Sequence, residues 1–338
     1  MALDVPASSS DAERRLEQTA ERRVADESPR AAEAVGVEAR AARRGTTTRI
    51  VTPTIGVRKR LRELWLSREL ITYLVRTEIK VKYKNSVLGI LWSMLAPAMS
   101  LAIYWVVFSV VLKNGIPNFV IFLFAGLLLW NLFQFGVLTG TGTVVANGGI
   151  VKKVSFPREI LALASVGSAC VFFFFQAIVL VVFLVVLHTV PDFAYLPVLL
   201  LALVAGVVLA SAIAVLLSAV NVYLRDTQHL IEVVLTAWFW ACPIVYSFQA
   251  QIESRLGPKG LTWIYFLNPV VPLVLSFQRC IYAKTVVPVH GVQTAVLPPN
   301  GMLWYVGLDL GVLFLAAVFF LVALAAFSRL EGNFAEEL

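Results

Sequence analysis

The 338-residue sequence predicts an all-α integral membrane fold: six transmembrane helices, with an N-terminal amphipathic interface helix before them and a re-entrant outer segment between spans five and six. Three observations predict it. Hydrophobic residues make up 59% of the chain and charged ones only 14%, where a soluble domain carries about 25% charged residues. The charge is also concentrated: residues 1–87 hold 18 of the 28 Lys and Arg and 12 of the 21 Asp and Glu. Beyond them the apolar residues gather into runs of the ~20 residues an α-helix needs to cross a bilayer.

Taken in chain order, residues 1–59 form a polar arm rich in Ala, Arg, Glu and Ser. Such a segment buries too little apolar surface to offset its ordering entropy and is expected to be disordered. Its first 50 residues contain no apolar run of signal-peptide length, so the N-terminus is expected to stay in the cytoplasm. Residues 60–338 form the membrane domain. From Leu61, the residues Leu64, Ile71, Leu74, Val75 and Ile79 recur at helical spacing, with Arg62, Arg68, Arg76, Lys80 and Lys84 between them. That pattern is a basic amphipathic helix suited to lie at the membrane surface among anionic headgroups.

The six predicted spans are 88–112, 119–139, 161–187, 195–220, 230–248 and 303–327. Between the last two, residues 249–302 are semi-apolar and broken by Pro258, Pro269, Pro272, Pro288, Pro298 and Pro299. The stretch Leu261 to Tyr282 is too apolar for an exposed loop and too interrupted for one span. A re-entrant or interfacial helix pair shielded by protein fits it. Basic residues near short loops set orientation: Arg76, Lys80, Lys82 and Lys84, then Lys152, Lys153 and Arg158, then Arg225 and Arg329 fall on one side, against Lys113 in the short loops of the other. Both termini are thus expected on the cytoplasmic side of the membrane.

The chemistry of an ATPase or hydrolase is missing. There is no GxxxxGK[ST] phosphate loop and no HExxH or GxSxG motif. Cys170, Cys242 and Cys280 lie far apart in apolar sequence and read as small buried hydrophobes. A membrane-embedded glycosyl- or phosphotransferase needs acids converging at one interface, whereas Asp192, Asp226, Glu253 and Asp309 fall on different sides of the predicted topology. Glu232 and Asp309 are read as interfacial or cavity-facing. No catalytic, cofactor-binding or metal-ligating residue is assigned, and the chain is not expected to be an enzyme by itself. A purely structural scaffold for a wall-synthesis complex is the other alternative.

Several blocks are specific. KYKNSVLGILWSMLAP (82–97) joins a basic helix end to a Gly89 hinge and a span opening at Trp92. NGGIVKKVSFPREILALAS (147–165) turns at Gly148 and Gly149 and places Pro157 just before a new helical pattern, where a missing N–H is harmless. NVYLRDTQHLIE (221–232), FWACPIVY (239–246), FLNPVVPL (266–273) and RLEGNFAEEL (329–338) follow. In this order around six spans they resemble the permease subunits of ABC-2 type exporters, most closely the branch that exports O-antigen polysaccharide, teichoic acid and cell-wall galactan. The resemblance covers residues 60–338.

The resemblance implies a homodimer of permeases working with two separate ATPase chains, which carry ATP and Mg. Together they would move a lipid-linked envelope polysaccharide, galactan or O-antigen-like, from the cytoplasmic to the outer leaflet. The alternative within the same superfamily is a small-molecule or drug exporter. The family's ATPase-coupling helix carries over to Asn147, Lys152, Lys153, Phe156, Pro157, Arg158 and Glu159. Its interface helix carries over to Arg76, Lys80, Lys82 and Lys84 within Glu69 to Lys84. Family polymer channels are lined by aromatics of spans one and five, here Trp92, Tyr104, Phe108, Trp238 and Tyr246. Tyr104 and Phe108 are four apart, and Trp238, Cys242 and Tyr246 repeat at i, i+4 and i+8, so each set is expected to form one helical stripe. Partners expected are a second copy, the ATPases, the glycan and membrane lipid, with no nucleic acid.

Overall fold

The computed structural model describes residues 57–338 except 85, 87, 88, 90, 112–115, 117, 155, 290 and 291. The predicted arm up to residue 56, and Lys113, therefore lie outside the described residues.

Helix α1 (Val57–Leu66) turns at Ser67 into α2 (Arg68–Tyr83). Both are amphipathic: Arg60 and Leu64 of α1 point inward, while Leu70, Ile71 and Leu74 of α2 pack against the core. The partner of α2 is α6 (Glu159–Val186). Glu78 accepts hydrogen bonds there from Ser165 at 3.1 Å and Ser168 at 2.6 Å, so this predicted interface helix is tied sideways to the bundle.

The first membrane helix, α3 (Leu91–Trp105), contains Pro97 and continues as a π-helical turn over Val106–Val111. Proline removes one N–H from the ladder, and α3 leaves most of its surface uncovered by the rest of the chain. Helix α4 (Phe119–Ala146) is apolar on every side and is the most enclosed of the long helices. That is what an all-round hydrophobic helix requires. Its glycines let neighbours come close: Gly136 faces Val166 and Ala169 of α6, and Gly140 faces Ala214 of α7 (Leu196–Tyr223). Small residues at such crossings are the usual device of membrane helix packing. Helix α7, with Pro197 in its first turn and Ala202, Ala205, Gly206 and Ala210 buried, packs against α4 on one flank and α10 (Met302–Leu330) on another.

Among the described residues, five helices are long and apolar enough to cross a membrane: α3 with its π turn, α4, α6, α7 and α10. The stretch read as span five differs. Helix α8 (Thr227–Trp240) has only 14 residues and ends before Pro243, which has no N–H to continue the ladder. Two side-chain amides satisfy carbonyls around the break. Gln278 donates to the Pro243 carbonyl at 2.9 Å and Asn268 to that of Ala241 at 3.4 Å. Residues 241–301 then fold as short turns and α9 (Val270–Ile281), a 12-residue helix buried among α4, α7 and α10. One element of this segment was not anticipated. Strands β1 (Val286–Val289) and β2 (Val292–Ala295) pair antiparallel, with Val286 opposite Ala295 and Val289 opposite Val292. Their β-branched residues flank a two-residue connection containing glycine, a hairpin pattern hidden among prolines.

The bundle has two distinct ends. One, the hairpin end, gathers Asn118, the α6–α7 loop and the β-hairpin; Asn118 donates to Thr189 at 3.0 Å, and Asp192 N–H to the Cys280 carbonyl at 2.8 Å. The other, the basic end, gathers residues 147–158, the α7–α8 turn and the C-terminal residues. Asp309 was expected at an interface or cavity. It is instead fully buried, accepting from Ser276 of α9 at 2.8 Å.

Candidate functional site

At the basic end, Asn147 closes α4 by donating to the Thr143 carbonyl at 2.8 Å, and its own carbonyl starts α5 (Gly148–Lys153) by accepting from Ile150 and Val151. In this six-residue helix only Val151 is buried; Ile150, Lys152, Lys153 and the following Val154 are exposed. Phe156 and Pro157 are half-buried. The next two residues of the predicted set turn inward. Arg158 donates to the main-chain carbonyl of Glu331 at 2.6 Å and sits 5.7 Å above the Phe334 ring. Glu159, in the first turn of α6 where the helix dipole favours an acid, is 1% exposed and lies 3.4 Å from Arg60. Arg60 also pairs with Glu331. The predicted coupling set thus divides into an outward apolar-basic tip and an inward charged base. Arg60 and Glu331 were missed, because single charges near either end of the membrane domain carry no periodic signal.

The interface-helix set divides too. Arg76 and Lys80 share the exposed face of α2, and Lys84, the residue that caps its C-terminus, is exposed four positions further on. Lys82 takes another face, and its ammonium lies 4.4 Å from the Phe135 ring and 4.1 Å from Phe172. Partial burial pushes that amine below the ordinary lysine value. The two ring faces act in the opposite sense, since they attract the charged form.

A groove of about 400 Å³ opens between α3, α4 and α8. Tyr104 and Ser100 come from α3, Asn131 and Gln134 from α4, and Thr236 and Trp240 from α8. The two amides are held in place: Asn131 donates to Gln176 at 2.8 Å, and Gln134 accepts from the Trp130 indole at 3.0 Å. A second cavity of about 410 Å³, on the hairpin side, is lined by Phe108, Tyr246, Ser247, Gln251 and Thr294. Trp240 lines both cavities and is 56% exposed. The Tyr246 hydroxyl donates to the Trp240 carbonyl at 3.1 Å and lies 2.5 Å from that of Tyr265.

Of the predicted path residues, Tyr104 lines the first cavity, and Phe108 and Tyr246 line the second. Trp92 is half-exposed on α3 and touches neither. Trp238 packs edge-on against Phe133, with centroids 5.4 Å apart, and donates to Asn268 at 2.9 Å. The expected Trp238–Cys242–Tyr246 stripe does not form, because α8 ends at Trp240 and Cys242 is buried beyond the break. Trp240, two residues or about 200° round the helix from Trp238, takes the place on the groove. The amides of Asn131 and Gln134 were also missed, although isolated amides inside an apolar span are themselves a signal.

Chemically, the groove offers aromatic faces beside hydroxyl and amide groups, a combination that suits ligands with apolar C–H faces and hydrogen-bonding edges. Among the described residues, no three His, Cys, Asp or Glu side chains gather as a metal site would require.

Comparison with known proteins agrees with this architecture. A family model described as ABC-2 type transporter matches residues 69–282. The O-antigen export system permease protein RfbA of Klebsiella pneumoniae is 28% identical over 270 residues, which cover 80% of this chain and 95% of that protein. RfbA of Myxococcus xanthus is 32% identical over 224 residues, 66% of this chain and 84% of that protein. A multi-pass helical bundle with an uncovered first membrane helix and a match over most of its length identifies the chain as a member of the ABC-2 type transporter family.

Proposed function

We propose that this protein is the permease of an ATP-driven exporter that moves a lipid-linked cell-envelope polysaccharide from the cytoplasmic to the outer leaflet. The observation that carries the reading is the groove between α3, α4 and α8. Its wall combines the aromatic rings of Tyr104 and Trp240 with the hydroxyl and amide groups of Ser100, Asn131, Gln134 and Thr236. Sugar rings have apolar C–H faces and polar edges, and that wall matches both. The export role of the O-antigen permeases that the chain resembles supports the same substrate class.

In this reading two copies related by a two-fold axis enclose the path, and the uncovered surface of α3 is where the second copy packs. Separate ATPase chains dock at the basic end. The exposed tip of α5, with Ile150, Lys152, Lys153 and Val154, enters a recess of the ATPase, and Arg76 and Lys80 on α2, with Lys84 at its C-terminal end, make a second contact. Both termini are cytoplasmic. The α9 segment and the hairpin close the outer end of the path as a re-entrant gate. ATP binding favours one arrangement of the ATPases over the other, and the permease follows that difference in affinity.

The experiment is depletion of the protein in its host, with the sidedness of lipid-linked glycan as readout. Accumulation of long polymer on its lipid carrier at the cytoplasmic leaflet is the expected result, and the polymer's sugars name the substrate. No glycan accumulation, together with new sensitivity to small amphiphiles, refutes polysaccharide export and favours a small-molecule exporter.

A further inference from the structure

Four charged side chains from three separate stretches of chain meet at the basic end. Arg60 of α1 pairs with Glu159 at the start of α6 and with Glu331 just past α10. Arg158 holds the Glu331 main chain at 2.6 Å. The residues after Glu331 are fixed in turn. Phe334 is fully buried against Tyr223 of α7 and Phe327 of α10, and the Tyr223 hydroxyl donates to the Leu330 carbonyl at 2.6 Å. Leu338 packs near Gly148, at the start of α5.

A charge needed only to orient the chain in a membrane works best when it is exposed, and these are not: the side chains of Arg60, Glu159 and Glu331 are 6, 1 and 15% exposed. Nor is a buried ion cluster an efficient stabiliser, since apolar residues of the same volume do as well or better. Its best-attested benefit is to allow one arrangement and penalise others. Here the arrangement concerns α1, which has few apolar anchors of its own: Leu64 alone among the apolar residues of Arg58–Leu66 is buried.

We infer that the C-terminal residues 329–338, with Arg60, Arg158 and Glu159, form a clasp that makes α1, the α5–α6 corner and the last turn of α10 one mechanical unit. Arg60 and Glu331 are positioning residues that carry displacement of the α5 tip into α1 and α10. The inference rests on the ATPase-driven reading above. It divides the charged block of residues 152–159 in two: Lys152 and Lys153 meet the partner, while Arg158 and Glu159 transmit.

The test uses the permease–ATPase complex in liposomes, with Arg60→Glu, Glu331→Arg, the double exchange, and the milder Glu331→Gln. Amide hydrogen exchange over residues 58–66 and glycan moved per ATP hydrolysed are both recorded. Each single reversal leaves one buried charge facing its like; exchange in α1 is expected to rise at least about tenfold, with α4 and α7 unchanged, and glycan moved per ATP to fall by about tenfold. The double exchange re-forms the 60–331 pair but sets an acid at position 60 beside Glu159, so both quantities are expected to recover in part, and Glu331→Gln shifts both in the same direction as the reversals by less. Unchanged α1 exchange in the single variants overturns the clasp. So does a loosened α1 with full transport per ATP, or a double exchange with no recovery of either quantity beyond the single reversals. If a single reversal does not insert, Glu331→Gln decides by the same two readouts. A wild-type complex that hydrolyses ATP and moves no glycan defeats the function proposed above, and α1 exchange and ATP turnover in the variants then decide the clasp.

Discussion

The crossing of α4 and α7 at Gly140 gives the sharpest test of the packing. A methyl placed on Gly140 lies 2.6 Å from the Cβ of Ala214, with the Ala162 carbonyl oxygen and the Ala214 Cα each 3.6 Å away. Carbon atoms rest at about 3.5–4.0 Å, so the helices must part by about 1 Å. Neither methyl has a rotamer through which to escape. Overpacking of this kind costs roughly 1–3 kcal/mol, and the gain in helix propensity from Gly to Ala returns no more than about 1 kcal/mol. Gly140→Ala is therefore expected to be destabilised by about 1–2 kcal/mol. Gly311→Ala, where no atom lies within 4 Å, is expected to be neutral or slightly stabilised. Reversible unfolding by SDS in mild detergent measures both. Adding Ala214→Gly to Gly140→Ala moves the single methyl to the other helix and should recover most of the loss, with a coupling energy of about 1–2 kcal/mol in the double-mutant cycle. Equal stability of the two alanine variants, or no recovery in the double variant, refutes the close approach.

Three further outcomes are expected. Lys152→Glu with Lys153→Glu, both on exposed positions of α5, should leave the permease folded yet weaken ATPase capture at least about tenfold, as like-charge juxtaposition does at other interfaces; co-purification and thermal melts separate the two effects. Trp240→Ala should slow export while changing stability by less than about 1 kcal/mol, because the side chain is 56% exposed, whereas Trp238→Ala removes a packed indole that also bonds Asn268 and should cost about 3 kcal/mol. The Lys82 amine, lowered by burial, binds its proton less tightly in the folded state than in the unfolded one; stability should thus rise as pH climbs from the lowered value towards the ordinary 10.5. Lys82→Met should abolish that slope, and a wild-type profile without it would mean that Phe135 and Phe172 favour the cation enough to cancel the burial.

Much of this fold is legible in the sequence wherever one long apolar run makes one helix. The readings 119–139, 161–187, 195–220 and 303–327 correspond to Phe119–Ala146, Glu159–Val186, Leu196–Tyr223 and Met302–Leu330, and the largest difference is the polar last two turns of Phe119–Ala146, which a hydropathy threshold trims. The run 230–248 misleads because hydropathy is blind to Pro243, and the aromatic stripe read from it fails for the same reason. Helix α9 falls within Leu261 to Tyr282, the stretch read as a shielded helix pair; the depth of its burial was not legible, because Ser276 and Gln278 look ordinary in sequence and are fully buried in the fold. At the candidate site, residue type was informative and direction was not. Lys152 and Arg158 are equally basic, yet one faces outward and the other grips the chain's own C-terminal residues. Which way each turns is decided by Glu331 and Phe334, some 170 residues later, beyond the reach of any local pattern.

The enclosure of α9 bears on how the protein is made. Twelve residues rise about 18 Å, well short of the ~30 Å hydrocarbon layer, so this segment is too short to be retained in lipid as a span. Its place exists only once α4, α7 and α10 surround it, and α10 leaves the ribosome after α9. Residues 270–281 therefore wait outside their slot until Met302–Leu330 has been synthesised, then move in, with Ser276 reaching Asp309 as they seat. Biogenesis departs from chain order at this step, and a lesion confined to α10 will first show itself as protease sensitivity in α9.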